Sequence, residues 1–239
     1  MIQFFRKIRQ NLLNEGKTTK YFKYAIGEIV LVVIGILIAL SINNWNEENK
    51  KHKKEKELLS NVKTSIINNI DFINEDIKSH KTSIHSSDIV LDAVRNKKTY
   101  YDSLAYHIHI APIFPNPDLS FTAYESLKSV GFDIISNTEL KNEILNLYEV
   151  SYSSMIRELG IIENQSVLAG QLSFYLDNFE RPNGFAIPNN YDLLIESQKF
   201  INIIVFHKSI HLWGMELKEP CLLESERIIE MIDEELNKK

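Results

Sequence analysis

His207 and His211 stand four residues apart in a segment with helical spacing. Two imidazoles at that spacing share one helix face and can bind one metal ion together. No HExxH, no ExxH carboxylate pattern and no pair of inward acids accompanies them. The metal assignment is therefore none, with this pair as its weak candidates, and both rings are expected to face solvent or to cap. His107 and His109 would share a face only on a strand; on a helix they diverge by about 200°, and the helix is favoured. Ser, His and Asp are all present, but no GxSxG elbow frames a nucleophile. Cys221, the only cysteine, follows Pro220 at an expected helix start, a position that lowers a thiol pKa when the group is accessible; the reading as a buried structural cysteine is favoured. Neither GxxxxGK nor GxGxxG occurs, so nucleotide binding has no local support. Tyr148, Tyr152, Phe174 and Tyr175 read as core. No catalytic residue and no cofactor is assigned, and the chain is expected not to be an enzyme.

The elements that would position any site begin with Ala25–Ile42, AIGEIVLVVIGILIALSI, eighteen nearly wholly apolar residues flanked by lysines and arginines. As a helix this run covers roughly 27 Å, close to the hydrocarbon thickness of a bilayer. It exceeds the h-region of a cleaved signal peptide, for which Ala39 and Ser41 have suitable spacing, and it is apolar all round, unlike a core helix. A signal-anchor is the favoured reading. Residues 1–24 carry six Lys/Arg against one acid, whereas the whole chain sums to −5. An acidic domain argues against nucleic acid as a partner, and a basic tail suits anionic lipid head groups. Phe4, Phe5, Arg6, Lys7 and Arg9 belong to an amphipathic tail lying on the membrane surface, and Trp45 is placed as a belt residue at the opposite interface. Lysines also follow the span, so orientation rests on the ease with which long C-terminal domains translocate: N-terminus in the cytoplasm, domain outside.

Glu28 is the anomaly of the span. Glu28, Val32, Gly35 and Ala39 share one helical stripe, and Gly35 with Ala39 forms a small-xxx-small pair. Two readings stand side by side. Either a neighbouring helix satisfies Glu28, or its carboxyl snorkels or protonates at the head-group boundary.

Beyond Asn46, Leu59, Val62, Ile66, Ile70, Ile73, Ile77, Ile84 and Leu91 follow steps of three, four or seven. They predict one long helix leaving the membrane, broken near Ser86–Ser87. A short helix then enters a proline-bearing loop up to Ser120. Thr122/Glu125 and Ser136/Glu139 read as capping boxes, the first opening a helix that stops at Gly131. The second opens a long pattern through Leu140, Ile144, Leu147, Met155 and Leu159, kinked near Gly160 or Gly170. The intervening stretch Ser126–Asn137, with Lys128, Gly131 and Asn137, is a possible contact loop. Arg181–Asn190 is a loop. One helix is expected from Tyr191 to about Leu217, and a last one from Pro220 with Leu223, Ile228 and Ile232 inward.

The run YAIGEIVLVVIGILIALSINNWNEENK, Tyr24 to Lys50, resembles the signature of an uncharacterised family of Bacteroidota membrane proteins, domain of unknown function 6090. The FFRKIRQ tail, Phe4 to Gln10, and TAYESLKSVGFDIISNTELKNEILNLYE, Thr122 to Glu149, are similar to the same family; Ser41 departs from it, standing where Gln is expected. The resemblance implies a single-pass membrane protein with a helical domain and supplies no activity.

The expectation is an all-α chain: a tail (1–24), a transmembrane helix (25–42) and an elongated helical bundle outside the cytoplasm (43–239). Its expected role is that of an anchored accessory or scaffold protein of the bacterial inner membrane. The expected partners are the lipid bilayer and, through the span, itself or another envelope protein. The alternative is a ligand-sensing helical domain without its own output module, an analogy with bacterial receptors.

Overall fold

A strict alternation of three- and four-residue steps organises the longest element. In the computed structural model, which describes residues 18–166 and 171–238, helix α1 runs from Thr18 to Arg95. The described chain is all-α apart from one two-residue antiparallel pair, β1 (Phe179–Glu180) with β2 (Ile187–Pro188). It falls into two compact units, the first ending at Glu55 and the second running from Lys56.

The first unit holds the apolar run. Its most apolar eighteen-residue window has a mean hydropathy of 2.8 and none of it is buried, so length and composition suffice to cross a membrane. Ile29, Leu31, Ile34, Leu37 and Ile42 are all exposed, so this is not a core helix of the chain.

In the second unit the buried seam of α1 is Leu59, Val62, Ile66, Asn69, Ile73, Asp76, His80, Ser83, Ser87, Val90 and Val94. This is a heptad seam that changes from apolar to polar and back. The expected break at Ser86–Ser87 does not occur. Ser87 Oγ donates to the Ser83 carbonyl 2.9 Å away, one turn back, so the serine finds its partner inside the helix and the ladder continues. The Ile70–Ile77–Ile84 column lies beside the seam and is only partly buried.

After α1 come α2 (Asp102–Ile110), α3 (Thr122–Val130), a 3₁₀ turn (Phe132–Ile134), α4 (Thr138–Asn146), a π turn (Leu147–Tyr152) and α5 (Ser153–Ser166). The rest of the unit is α6 (Leu172–Asn178), α7 (Tyr191–Ile195), α8 (Gln198–Glu216) and α9 (Lys218–Leu236). His107 and His109 lie on α2, as the helical reading expects.

Several local expectations need correction. Thr122 is the first residue of α3 and Phe121 its N-cap, without a side-chain cap, so the Thr122/Glu125 box does not form. Tertiary contacts set that entry: Asn69 accepts from Ser120 N–H at 2.8 Å and donates to its carbonyl at 3.1 Å, while the Phe121 ring packs edge-on to Tyr148. The second box fails because Asn137, not Ser136, caps α4, its Oδ1 accepting from Leu140 N–H. The long pattern is interrupted earlier than expected. The π turn adds a residue at Leu147–Tyr152 and buries Leu147, Tyr148 and Tyr152 together, whereas Gly160 stays within α5 and Gly170 lies outside the described residues. Ser197 caps α8 through Phe200 N–H, splitting the expected Tyr191–Leu217 helix in two. α9 buries Lys218, Cys221, Ser225, Ile228 and Ile232, again at three–four steps, which leaves Leu223 exposed on the opposite face.

Two apolar clusters flank the polar middle of α1. The first joins Leu59, Val62, Ile66 and Ile73 to α3–α5 and α9 through Leu127, Leu140, Tyr148, Tyr152, Ile228 and Ile232. The second joins Val90, Ala93 and Val94 to Leu104, Ile108, Phe174, Phe179, Phe200 and Ile204. Tyr148/Tyr152 and Phe174/Tyr175 are core, as expected, but of different clusters. Each large apolar side chain so buried contributes about 1.5–3 kcal/mol before chain entropy is opposed.

Candidate functional site

Between the clusters, the α1 seam turns polar because helix ends point into the core. The last carbonyls of a helix have no partner inside it, and buried carbonyls without donors are costly. α2 ends there: Ser83 Oγ lies 3.2 Å from both the Ile110 and the Ile113 carbonyl, and His211 Nε2 lies 2.9 Å from the Ala111 carbonyl. The last turn of α8 ends there too, and its Gly214 carbonyl accepts from Lys218 Nζ at 3.0 Å. A lysine near a helix C-terminus also offsets the dipole.

Lys218, wholly buried, is the hub. Its ammonium stands 2.8 Å from Asp76 Oδ2 and donates to His80 Nε2, also at 2.8 Å. The contact with Asp76 is an ion pair at short distance but poor angle, since Oδ2 makes no well-aligned hydrogen bond. His80 Nδ1 and His211 Nδ1 are 3.0 Å apart. These contacts fix one set of protons. With Lys218 charged, His80 Nε2 must accept, so His80 carries its proton on Nδ1 and donates to His211. His211 then carries its own on Nε2 and donates to Ala111. The result is a directional chain, Lys218 to His80 to His211 to the end of α2.

Packing holds the rings in place. Phe114 stacks on His211 with centroids 5.5 Å apart and meets His80 edge-on at 5.0 Å. Gly214 is the close approach: a Cβ there would lie 2.9 Å from His80 Cε1, 3.1 Å from Nε2 and 3.3 Å from Phe114. Only the absence of a side chain lets α8 lie this close to the imidazole.

Burial sets the protonation states. It pushes His80 below the ordinary imidazole value against the pull of Asp76, and lowers His211 to about 4 although the Ala111 carbonyl opposes it. His207, whose two ring nitrogens have no hydrogen-bond partner, is likewise lowered to about 4 by burial. For Asp76, burial raises the carboxyl pKa, but the close His80 ring and Lys218 ammonium outweigh it and hold it below its usual range. Lys218 is lowered by burial, with Asp76 opposing. The belt at neutral pH is thus one balanced ion pair beside neutral rings. A buried pair of this kind adds little net stability over apolar packing, but it penalises every register that leaves either charge alone.

The sequence-based site residues are distributed differently. His207 and His211 are buried rather than solvent-facing, because α8 packs against α1 along Phe200, Ile204, His211 and Gly214; His211 does cap, at the Ala111 carbonyl that ends α2. As both nitrogens of His211 are engaged, the pair does not present two free ligands. Among the described residues no group of three or more His, Cys, Asp or Glu is placed to hold a metal ion. Lys128 pairs with Glu149 at 3.2 Å, and Glu149 also accepts from Tyr124 at 2.6 Å. Asn137 is committed to capping and to Glu235 at 2.9 Å, so two of the three contact-loop residues serve the domain's own packing. Gly131 ends α3 with φ +102°. In the span, Val32 and Ala39 are exposed, Glu28 is half-buried, and a Cβ at Gly35 would meet nothing within 4 Å. Trp45 is exposed. Phe4, Phe5, Arg6, Lys7 and Arg9 lie outside the described residues. Cys221 is buried and its thiol is pushed up to about 11 by burial, the reverse of activation.

Asp76, His80, Gly214 and Lys218 were not singled out from the sequence. A signal for the first two exists: the three–four register of Leu59–Ile73, continued through polar letters, reaches Val90 and Val94 by way of Asp76 and His80. Residues 28–209 match the model of a family described as a family of unknown function, DUF6090. No curated protein and no solved structure matches the chain.

Proposed function

The chain belongs to the DUF6090 family, and because no activity comes with that membership we propose its role from the fold: a membrane-anchored accessory or scaffold protein of the bacterial cell envelope. One observation carries this reading. Apart from the half-buried Glu28 the run from Ile26 to Ile42 is exposed, and apart from Glu28 and Ser41 it is apolar; apolar surface of that extent requires an apolar surrounding. A bilayer supplies it at the matching thickness.

In this reading the chain passes the inner membrane once, with its N-terminus in the cytoplasm and the second unit in the periplasm. The stripe of Glu28, Val32, Gly35 and Ala39 contacts a second copy or another envelope protein, with the small residues Gly35 and Ala39 at the crossing. The lack of a side chain at Gly35 supports it, since the position leaves room for close helix approach. The test is oxidative crosslinking of a Gly35→Cys variant in native membranes, with Cys221 changed to Ser. A disulfide-linked homodimer or a discrete adduct with one other membrane protein is expected; a monomer under all oxidising conditions contradicts the contact.

A further inference from the structure

We propose that the His80–His211 contact is a proton-operated latch that holds α8 and α9 on α1 at neutral pH and releases them in acid. This inference concerns the second unit alone and does not rest on the anchoring or on any partner.

Every nitrogen in the chain is occupied: His80 Nε2 accepts from Lys218, His211 Nδ1 accepts from His80, and His211 Nε2 donates to Ala111. A proton added to His80 or His211 therefore breaks a hydrogen bond. At His211 Nδ1 it would face the N–H of His80 across 3.0 Å. At His80 Nε2 it would displace the hydrogen bond from Lys218 and face that ammonium across 2.8 Å, with the Asp76 carboxylate farther off at 3.6 Å.

Charge balance points the same way. α1 contributes one carboxylate, Asp76, and α9 contributes one ammonium, Lys218, already paired with it. α9 also brings the Cys221 thiol, which burial keeps neutral. α8 brings His207, and the segment after α2 brings the Ala111 carbonyl and the Phe114 ring. A second cation in this belt has no carboxylate of its own: His80 could only share Asp76, 3.6 Å from its Nε2 and already paired with Lys218, and His211 has only the Ala111 dipole.

Closed, the rings resist protonation; opened to water, they accept it. Below the ordinary imidazole value and above about 4, where His207 and His211 are held in the closed state, each ring that opens takes up one proton. The opening equilibrium then rises roughly tenfold per pH unit for each ring, or up to about a thousandfold if His80, His207 and His211 open together. Above the ordinary value no ring is charged in either state and the latch stays shut. The sharpness comes from the shared hydrogen bonds, because one proton entering breaks contacts that hold α1, α8 and α9 at once.

Trp213, next to Gly214 and partly buried against the first cluster, is a built-in reporter. The chain has two tryptophans, so Trp45→Phe leaves it alone. The full chain bearing that change, in detergent micelles, is titrated from pH 7.5 to 4.5 while Trp213 emission is followed. A reversible red shift with a steep midpoint inside that window is expected. In a His80→Gln, His211→Gln double variant the amides can still accept from Lys218 and donate to Ala111, and the midpoint is expected to fall by more than one pH unit or vanish. No change above pH 4.5, or an identical midpoint in both proteins, overturns the proposal. Should the double variant not fold, nitrogen-15 spectra of the wild-type histidines decide. His80 is expected protonated on Nδ1 and His211 on Nε2 at pH 7, both titrating together with the Trp213 change. Independent titration of these rings at the ordinary imidazole value, without a fluorescence change, overturns it.

Discussion

Gly214→Ala is the smallest perturbation that reaches the belt, and its outcome has a definite sign. In an open helix position, glycine to alanine stabilises by up to about 1 kcal/mol. Here the new methyl would meet His80 Cε1 at 2.9 Å, Nε2 at 3.1 Å and Phe114 Cζ at 3.3 Å. His80 cannot yield by rotation, because Lys218 and His211 hold both its nitrogens and the residue is fully buried. Overpacking of this kind costs about 1–3 kcal/mol, and a strained hydrogen bond to the charged lysine costs about 1.5–3 kcal/mol more. Setting these against a helix gain of about 1 kcal/mol leaves a destabilisation of about 1.5–5 kcal/mol. For a chain of this size that corresponds to a fall in Tm of roughly 3–20 °C. Gly160→Ala is the matched control, since a Cβ there meets nothing within 4 Å, and it should be neutral or stabilising by up to about 1 kcal/mol. Urea and thermal unfolding of the full chain in micelles, followed by circular dichroism, would measure both. Equal stability of Gly214→Ala and wild type would show that α8 does not lie against the His80 ring.

Lys218→Met should destabilise by about 3–5 kcal/mol, because Asp76 is left buried without its cation, and adding Asp76→Asn should recover much of that loss in the same unfolding assay. Stability should fall with acid through the histidines. The unfolded rings bind protons below their ordinary value of 6.5 while His207 and His211 stay neutral down to about 4, so each contributes up to roughly 3 kcal/mol of destabilisation across that window and none above it. Unfolding midpoints measured at pH 7.5, 6 and 5 should reveal this slope. Cys221 should react with a thiol reagent at pH 7 at least a hundredfold more slowly in the native chain than in urea, given its burial and a thiol pKa near 11.

What could be read from the sequence follows from what is locally encoded. The apolar run from Ala25 to Ile42 needs no tertiary context, and neither does the Gly131 stop or the helical spacing of Leu140, Ile144, Met155 and Leu159. Cap choice was less legible: Phe121 begins α3 because Asn69, some fifty residues away, holds Ser120 from both sides. The belt was illegible for a related reason. Asp76, His80 and Lys218 carry the letters of a solvated face, and they are tolerable in the core only because residues 138 positions apart meet. An apolar-only reading stepped sideways from Ile73 to Ile77 and Ile84, off the true seam, at the point where the seam turned polar. The burial of His207 and His211 was missed because α8 is apolar on several faces, so its spacing does not reveal which one packs.

The proposed role requires the exposed apolar run to reside in lipid, and site-directed spin labelling tests that directly. A nitroxide at Ile34, introduced as Ile34→Cys with Cys221 changed to Ser and the chain reconstituted in phospholipid vesicles, should relax readily with dissolved oxygen and scarcely with a water-soluble nickel chelate. Ready relaxation by the chelate, as at a solvated helix surface, would contradict the membrane anchor and with it the proposed role.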